Sequence, residues 1–187
     1  MNILIILIII LIILIYLNYY YKFNNNFEIL QLDSNQINQE ILSEKLPIVI
    51  NDIINNINDF INVVLTYEYI FKNKIDFTKS KFVNKNLATH LIIYNNNESN
   101  INLYISNPKF SDKFKFSKNK SLNYLISDYE VSDVNNINDI QFVNISLKPK
   151  QVFILPSYWL FYIDSNTESY FLSGIFNKIL AVYLSLC

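Results

Sequence analysis

The stretch LKPKQVFILPSYWLFYID, Leu147 to Asp164, constrains this chain most. Two apolar runs, Val152-Phe153-Ile154-Leu155 and Trp159-Leu160-Phe161-Tyr162-Ile163, flank Pro156-Ser157-Tyr158. Both runs are rich in β-branched and aromatic side chains, which suit a pleated, half-buried surface. Proline has no N–H for a sheet ladder, so it belongs at a strand end or a turn. The spacing predicts two buried strands joined at a hairpin or corner, inside a mainly β core.

The N-terminus makes a different demand. Residues 3–17 are Ile and Leu throughout apart from Tyr16, and Asn18-Tyr19-Tyr20-Tyr21-Lys22 follows. With the tyrosines taken as an interfacial belt, Ile3 to Tyr21 reaches the ~20 residues that cross a bilayer. A cleaved signal peptide would show a basic start and a small-residue cleavage site. Neither is present, so residues 1–22 read as an uncleaved, single-pass signal-anchor whose partner is the lipid bilayer. Lys22 is the nearest positive side chain and follows the span, which places the C-terminal domain on the cytosolic side. Three Asn-X-Ser sequons, at Asn97, Asn119 and Asn144, are no more than a chain rich in Asn and Ser supplies by chance.

Residues 23–26 form a polar linker, and 27–187 are long enough for one domain with its own core. Phe27 to Leu32 reads as a first strand. Asp33, with Gln36 three residues on, resembles a capping box ahead of a helix with Ile37, Ile41 and Leu42 on one face. Leu46 to Ile50 reads as a strand entered through Pro47. Asp52 caps a second helix whose apolar positions run from Ile53 to Leu65 at helical spacing. Ala88 to Tyr94 and Ile101 to Ile105 read as a hairpin around the polar turn 95–100. Ile140 to Leu147 alternates as a half-buried strand, and Ser169 to Ser173 reads as another. Residues 128–139, with Asp128, Glu130, Asp133 and Asp139, read as an exposed loop. Ile175 to Leu186 reads as a buried terminal helix or strand.

Composition excludes several functions. The formal net charge is -1 and Arg is absent. There is then no basic field for nucleic acid and no bidentate Arg contact to bases or phosphates. Phe110, Phe114 and Phe116 alternate with Lys109, Lys113, Lys115, Lys118 and Lys120. The pattern reads as phenylalanines tucked into the core beneath a lysine-studded surface. The single cysteine, Cys187, allows no internal disulfide and no multi-cysteine zinc site. No Gly-rich phosphate loop, nucleophile elbow or Cys/His pair is present. The bias toward Asn, Ile, Lys, Tyr and Phe is that of a very AT-rich genome, as in a low-GC protist or a large DNA virus.

The Leu147–Asp164 stretch resembles the late segment of cupin-like domains of the JmjC type. Their pattern is a leucine, an acidic residue, Pro-Gly-Asp, an apolar run, Pro, two residues and Trp-Trp-His. Leu147, Pro149, Val152 to Leu155, Pro156 and Trp159 match it. Glu44 to Ile50 is similar to the Lys-Pro-Val-Val-Ile strand with which such domains open. The resemblance implies a cupin-like double-stranded β-helix, or jelly-roll, with flanking helices behind one N-terminal transmembrane helix.

In that family the resemblance also implies Fe(II) and 2-oxoglutarate chemistry on two inward histidines and a carboxylate, the first pair spaced His-X-Asp or His-X-Glu. This chain departs at three positions: Lys150 for the glycine, Gln151 for the aspartate and Phe161 for the distal histidine. His90 is the sole histidine, and Ile92 stands two residues beyond it. A two-histidine site cannot be built in one subunit, so the expectation is no cofactor and no catalytic residue. A catalytically inactive, membrane-anchored binding or structural module follows, contacting an unidentified protein partner through a vestigial pocket at Tyr158, Trp159 and Phe161, with His90 as a further binding candidate. Two alternatives stand beside it. One is a divergent oxygenase using His90 with Asp164 or Asp128. The other is a single-pass membrane protein with an unrelated β domain.

Overall fold

The computed structural model describes residues 2–21, 27–64, 69, 71–77, 81–117, 123–130, 140–175 and 178. After an N-terminal helix the domain is mainly β, with twelve described strands in two six-stranded sheets. The first sheet, A, runs β1(Leu30–Leu32), β2(Ile48–Ile50), β10(Val152–Pro156), β5(His90–Tyr94), β12(Thr167–Ser173), β3(Phe71–Phe77). The second, B, runs β7(Phe116–Ser117), β8(Tyr124–Glu130), β4(Phe82–Asn86), β11(Leu160–Ile163), β6(Ile101–Ser106), β9(Val143–Leu147). Every described pairing is antiparallel except β1 with β2.

The central strands obey a simple rule. β3 pairs β12, β4 pairs β11, β5 pairs β10 and β6 pairs β9. The chain is one long antiparallel ribbon doubled on itself, and successive rungs fall alternately in sheets A and B. Each connection between consecutive rungs therefore crosses from one sheet to the other. β7 and β8 are inserted at the tip of the ribbon and extend sheet B, while β1 and β2 extend sheet A.

Three apolar layers follow from the period-two alternation of strand side chains. The layer between the sheets holds Phe77, Leu91, Ile93, Leu103, Ile105, Phe153, Leu155, Trp159, Phe161 and Phe171. The outer face of sheet A carries Ile92, Tyr94, Val152, Ile154 and Leu172 beneath Leu42 of α2(Gln39–Ser43) and Ile57, Phe60 and Ile61 of α3(Ile57–Val64). The outer face of sheet B carries Val83 and Leu160 beneath Phe114. β5 and β10 are buried at every position because both faces are covered. That explains their unbroken apolar runs.

Several expectations are met and several are corrected. The run around Pro156 is a corner, with β10 in sheet A and β11 in sheet B. The expected hairpin of 88–94 with 101–105 does not form. β5 and β6 lie in different sheets, because covered β5 needs two partners and takes β10 and β12. The first helix after the linker is split into a 3-10 turn (Ser34–Gln36), which carries the Asp33/Gln36 capping box, and the short α2, capped by Asn38. Strand β1 starts at Leu30, later than expected. Phe114 is buried and Phe110 and Phe116 pack against its cluster, as a lysine-studded core segment requires. Strands β3, β4 and β8 had no clear sequence signal. Lys118, Lys120, the Asn119 sequon, the acidic stretch beyond Glu130 and most of the expected terminal element lie outside the described residues.

α1(Asn2–Tyr21) is helical over 20 residues. Its side chains at 3–15, all Ile or Leu, are exposed. The expected transmembrane span is not met as such: no helix is long and apolar enough to cross a membrane among the described residues. The side chains described in α1 end at residue 15, and 3–15 rises only about 20 Å against a hydrocarbon core of ~30 Å.

Candidate functional site

The corner at Pro156-Ser157-Tyr158 meets the end of β4, and Asn86 laces the two together. Its backbone N–H donates to the Trp159 carbonyl at 3.0 Å, and its carbonyl accepts from the Tyr158 N–H at 2.7 Å. Its side-chain Nδ2 donates to the carbonyls of Leu155 (3.1 Å) and Pro156 (2.9 Å), and its Oδ1 accepts from the Ala88 N–H (3.0 Å). The fully buried amide thus bonds three backbone groups, two at the corner and one at the turn into β5. Tyr158 has φ of 69°, a left-handed backbone that a non-glycine residue holds only where its surroundings impose it.

Alternation then sorts the side chains. In register, Phe161 is opposite Asn84 and Leu160 is opposite Lys85. Phe161 and Trp159 belong to the layer between the sheets, whereas Leu160 belongs to the outer layer of sheet B. Asn84 and Asn86 therefore face inward beside Phe161, and Lys85 faces outward. Tyr158 also faces outward, since its ring lies over the Lys85 ammonium at 5.6 Å. The expected pocket of Tyr158, Trp159 and Phe161 is thus divided between two faces of sheet B.

His90 is elsewhere again. It shares its β5 face with Ile92 and Tyr94, the outer face of sheet A beneath α2. Tyr69 Oη is 2.7 Å from its Nδ1, and the Leu42 backbone bonds the ring. Burial, with a smaller contribution from the Lys45 charge, pushes its pKa down to about 4, against the Leu42 bond. The ring is neutral at pH 7. Asp164 is engaged with the Asn102 N–H and Nδ2, both at 3.1 Å, at the end of β11. Asp128 is exposed on β8. The structure does not bring His90, Asp164 and Asp128 together. Among the described residues no group of three or more His, Cys, Asp or Glu could hold a metal.

The inward positions nearest Phe161 are thus Asn84 and Asn86, with Lys85 between them facing outward. The surroundings are aromatic: Phe77 meets Phe161 edge-on at 5.7 Å, and Phe27 meets Trp159 at 5.5 Å. Among the described residues two buried polar side-chain atoms lack hydrogen-bond partners, Trp159 Nε1 and Thr89 Oγ1. Sequence reasoning missed Asn84, Lys85 and Asn86, although FVNKN alternates Val and Lys against Asn and Asn.

The neutral, buried His90 sets a pH dependence. Its folded pKa lies below the ordinary 6.5, so the unfolded chain binds the proton first. The stabilisation is complete above pH ~6.5 and is lost as pH falls toward about 4, by at most ~3 kcal/mol at ~1.4 kcal/mol per unit. Urea midpoints between pH 7 and pH 4 measure the loss. His90→Gln, which does not titrate, is expected to flatten the curve across that window. An unchanged slope in the variant would assign the pH dependence to other groups.

No family model matches the chain, and no curated protein matches it.

Proposed function

We propose that this chain is a membrane-tethered, catalytically inactive jelly-roll domain of the cupin-like kind, acting as a binding or structural module for a protein partner. The ribbon pairing of β3 with β12, β4 with β11, β5 with β10 and β6 with β9 supports the jelly-roll reading, since it is what a ribbon of eight strands rolled between two sheets gives. Lys150, at the glycine position of the resembled motif, has φ of 63°, a conformation that glycine favours. Gln151, at the aspartate position, accepts from the Lys148 N–H at 2.9 Å and closes the same turn.

The observation that carries inactivity is the chemistry of the inward set. Iron in this family's arrangement takes two imidazoles and a carboxylate. Asn84, Asn86 and Phe161 supply two amides and a phenyl ring, and the Asn86 amide is spent on backbone groups. These residues do not fit Fe(II).

The tether reading rests on α1. Exposed Ile and Leu at 3–15 would be covered by an apolar medium, which supports a tether, and the helical backbone continues to Tyr21. Lys22 favours a cytosolic domain.

Two measurements on the full chain test the proposal. Membranes carrying it are washed with alkaline carbonate, and the chain is expected to stay in the pellet; release into the wash rejects the tether. The chain in detergent is then titrated anaerobically with Fe(II) and 2-oxoglutarate, with no stoichiometric binding expected. Saturable one-to-one iron that depends on His90 would restore the oxygenase.

A further inference from the structure

The outer face of sheet B holds a lysine in an unusual setting. Lys85 projects from β4 beneath the 3-10 segment Pro108–Lys113. Its Nζ is 2.7 Å from Ser111 Oγ and 5.6 Å from the ring centres of both Phe116 and Tyr158. Among the described residues it has no carboxylate at ion-pairing distance. Asp112, exposed on the same 3-10 segment, acts on it only at range. Lys109, Lys113 and Lys115 nearby in sequence are exposed, whereas Lys85 is half-buried.

The enclosure affects the amine in two opposed ways. The ring faces favour the ammonium. Removal from water favours the neutral amine, and burial pushes the Lys85 pKa down despite the opposing charge of Asp112. A desolvated lysine of this kind is a nucleophile for carbonyl carbon. Ser111 Oγ is placed to relay a proton, and the Tyr158 ring forms one wall.

We propose that Lys85, Ser111, Phe116 and Tyr158 form an amine site that captures aldehydes or ketones of aromatic character as imines. The Nζ lone pair adds to the carbonyl carbon, and the C=O π pair moves to oxygen, which takes a proton. The carbinolamine then loses water as the C=N bond forms. No oxidant or reductant enters. The site lies on the face opposite Asn84, Asn86 and Phe161.

The probe is benzaldehyde with sodium cyanoborohydride, applied to the full chain in detergent from pH 6 to pH 9 and read by peptide mass spectrometry. At pH 7 Lys85 is expected to label more than about threefold faster per amine than Lys113 or Lys115, despite being less exposed. Its rate should also reach half its maximum at lower pH than theirs. Ser111→Ala is expected to slow labelling at Lys85 while leaving Lys113 and Lys115 unchanged. Lys85 labelling no faster than the exposed lysines, with the same pH profile, would overturn the proposal; this comparison needs no variant to fold.

Discussion

Replacing Asn86 with alanine is expected to destabilise the domain by about 3 kcal/mol, read as a shift in the urea midpoint of the full chain in detergent. The side chain bonds the Leu155 and Pro156 carbonyls and the Ala88 N–H, all at a buried junction. Each buried group left unpaired costs roughly 1–3 kcal/mol, and the three losses overlap because one relaxation serves all of them. Asn86→Asp is the sharper variant. It keeps an acceptor for Ala88 but sets a carboxylate against two carbonyl oxygens away from water. It is expected to be worse than alanine at pH 7 and to recover toward it as pH falls and the carboxyl protonates. A loss under about 1 kcal/mol for alanine would mean that other groups take over the corner.

That residue also marks where the sequence stopped being legible. Asn is so common in this chain that a single one carries little information. Asn86 and Asn95, each fully buried, nevertheless lace the two ends of β5 to neighbouring segments, Asn95 through the Ser99 and Leu147 carbonyls at 2.9 Å. Local sequence cannot tell such an amide from a solvated one, because its partners lie up to seventy residues away. The runs 90–94, 152–156 and 160–163 were legible because β strands covered on both faces are apolar without interruption. β3, with Lys72, Asn73, Lys74 and Asp76, was not, since it is a largely exposed edge strand whose polar side chains guard it.

The candidate site divides in the same way. Pro156 and Trp159 locate the corner, and Phe161 falls between the two sheets. The inward partners of Phe161 could not be found by looking for histidine. His90 was a binding candidate only as the sole histidine, and strand parity places it on the outer face of sheet A. A single-residue difference in register reverses every side chain of a strand. The face of an isolated histidine is therefore decided by pairing.

Trp159 gives the second large effect. It is fully buried between the sheets and meets Phe27 at 5.5 Å. Trp159→Ala removes the largest side chain of the core beside a corner that cannot collapse, because Asn86 holds its backbone. The expected loss is about 3–5 kcal/mol, enough to unfold a domain of ordinary stability. Trp159→Phe separates packing from polarity. It gives up part of the apolar area, but it also removes Nε1, a buried donor with no partner among the described residues. An unpaired buried N–H costs roughly 1–3 kcal/mol, which offsets most of the lost area, so the phenylalanine variant is expected within about 1 kcal/mol of the parent. Thermal and urea unfolding of both variants decide the matter. If phenylalanine costs as much as alanine, the indole nitrogen is contributing an interaction, and the interior beside Phe27 holds a group that accepts from it.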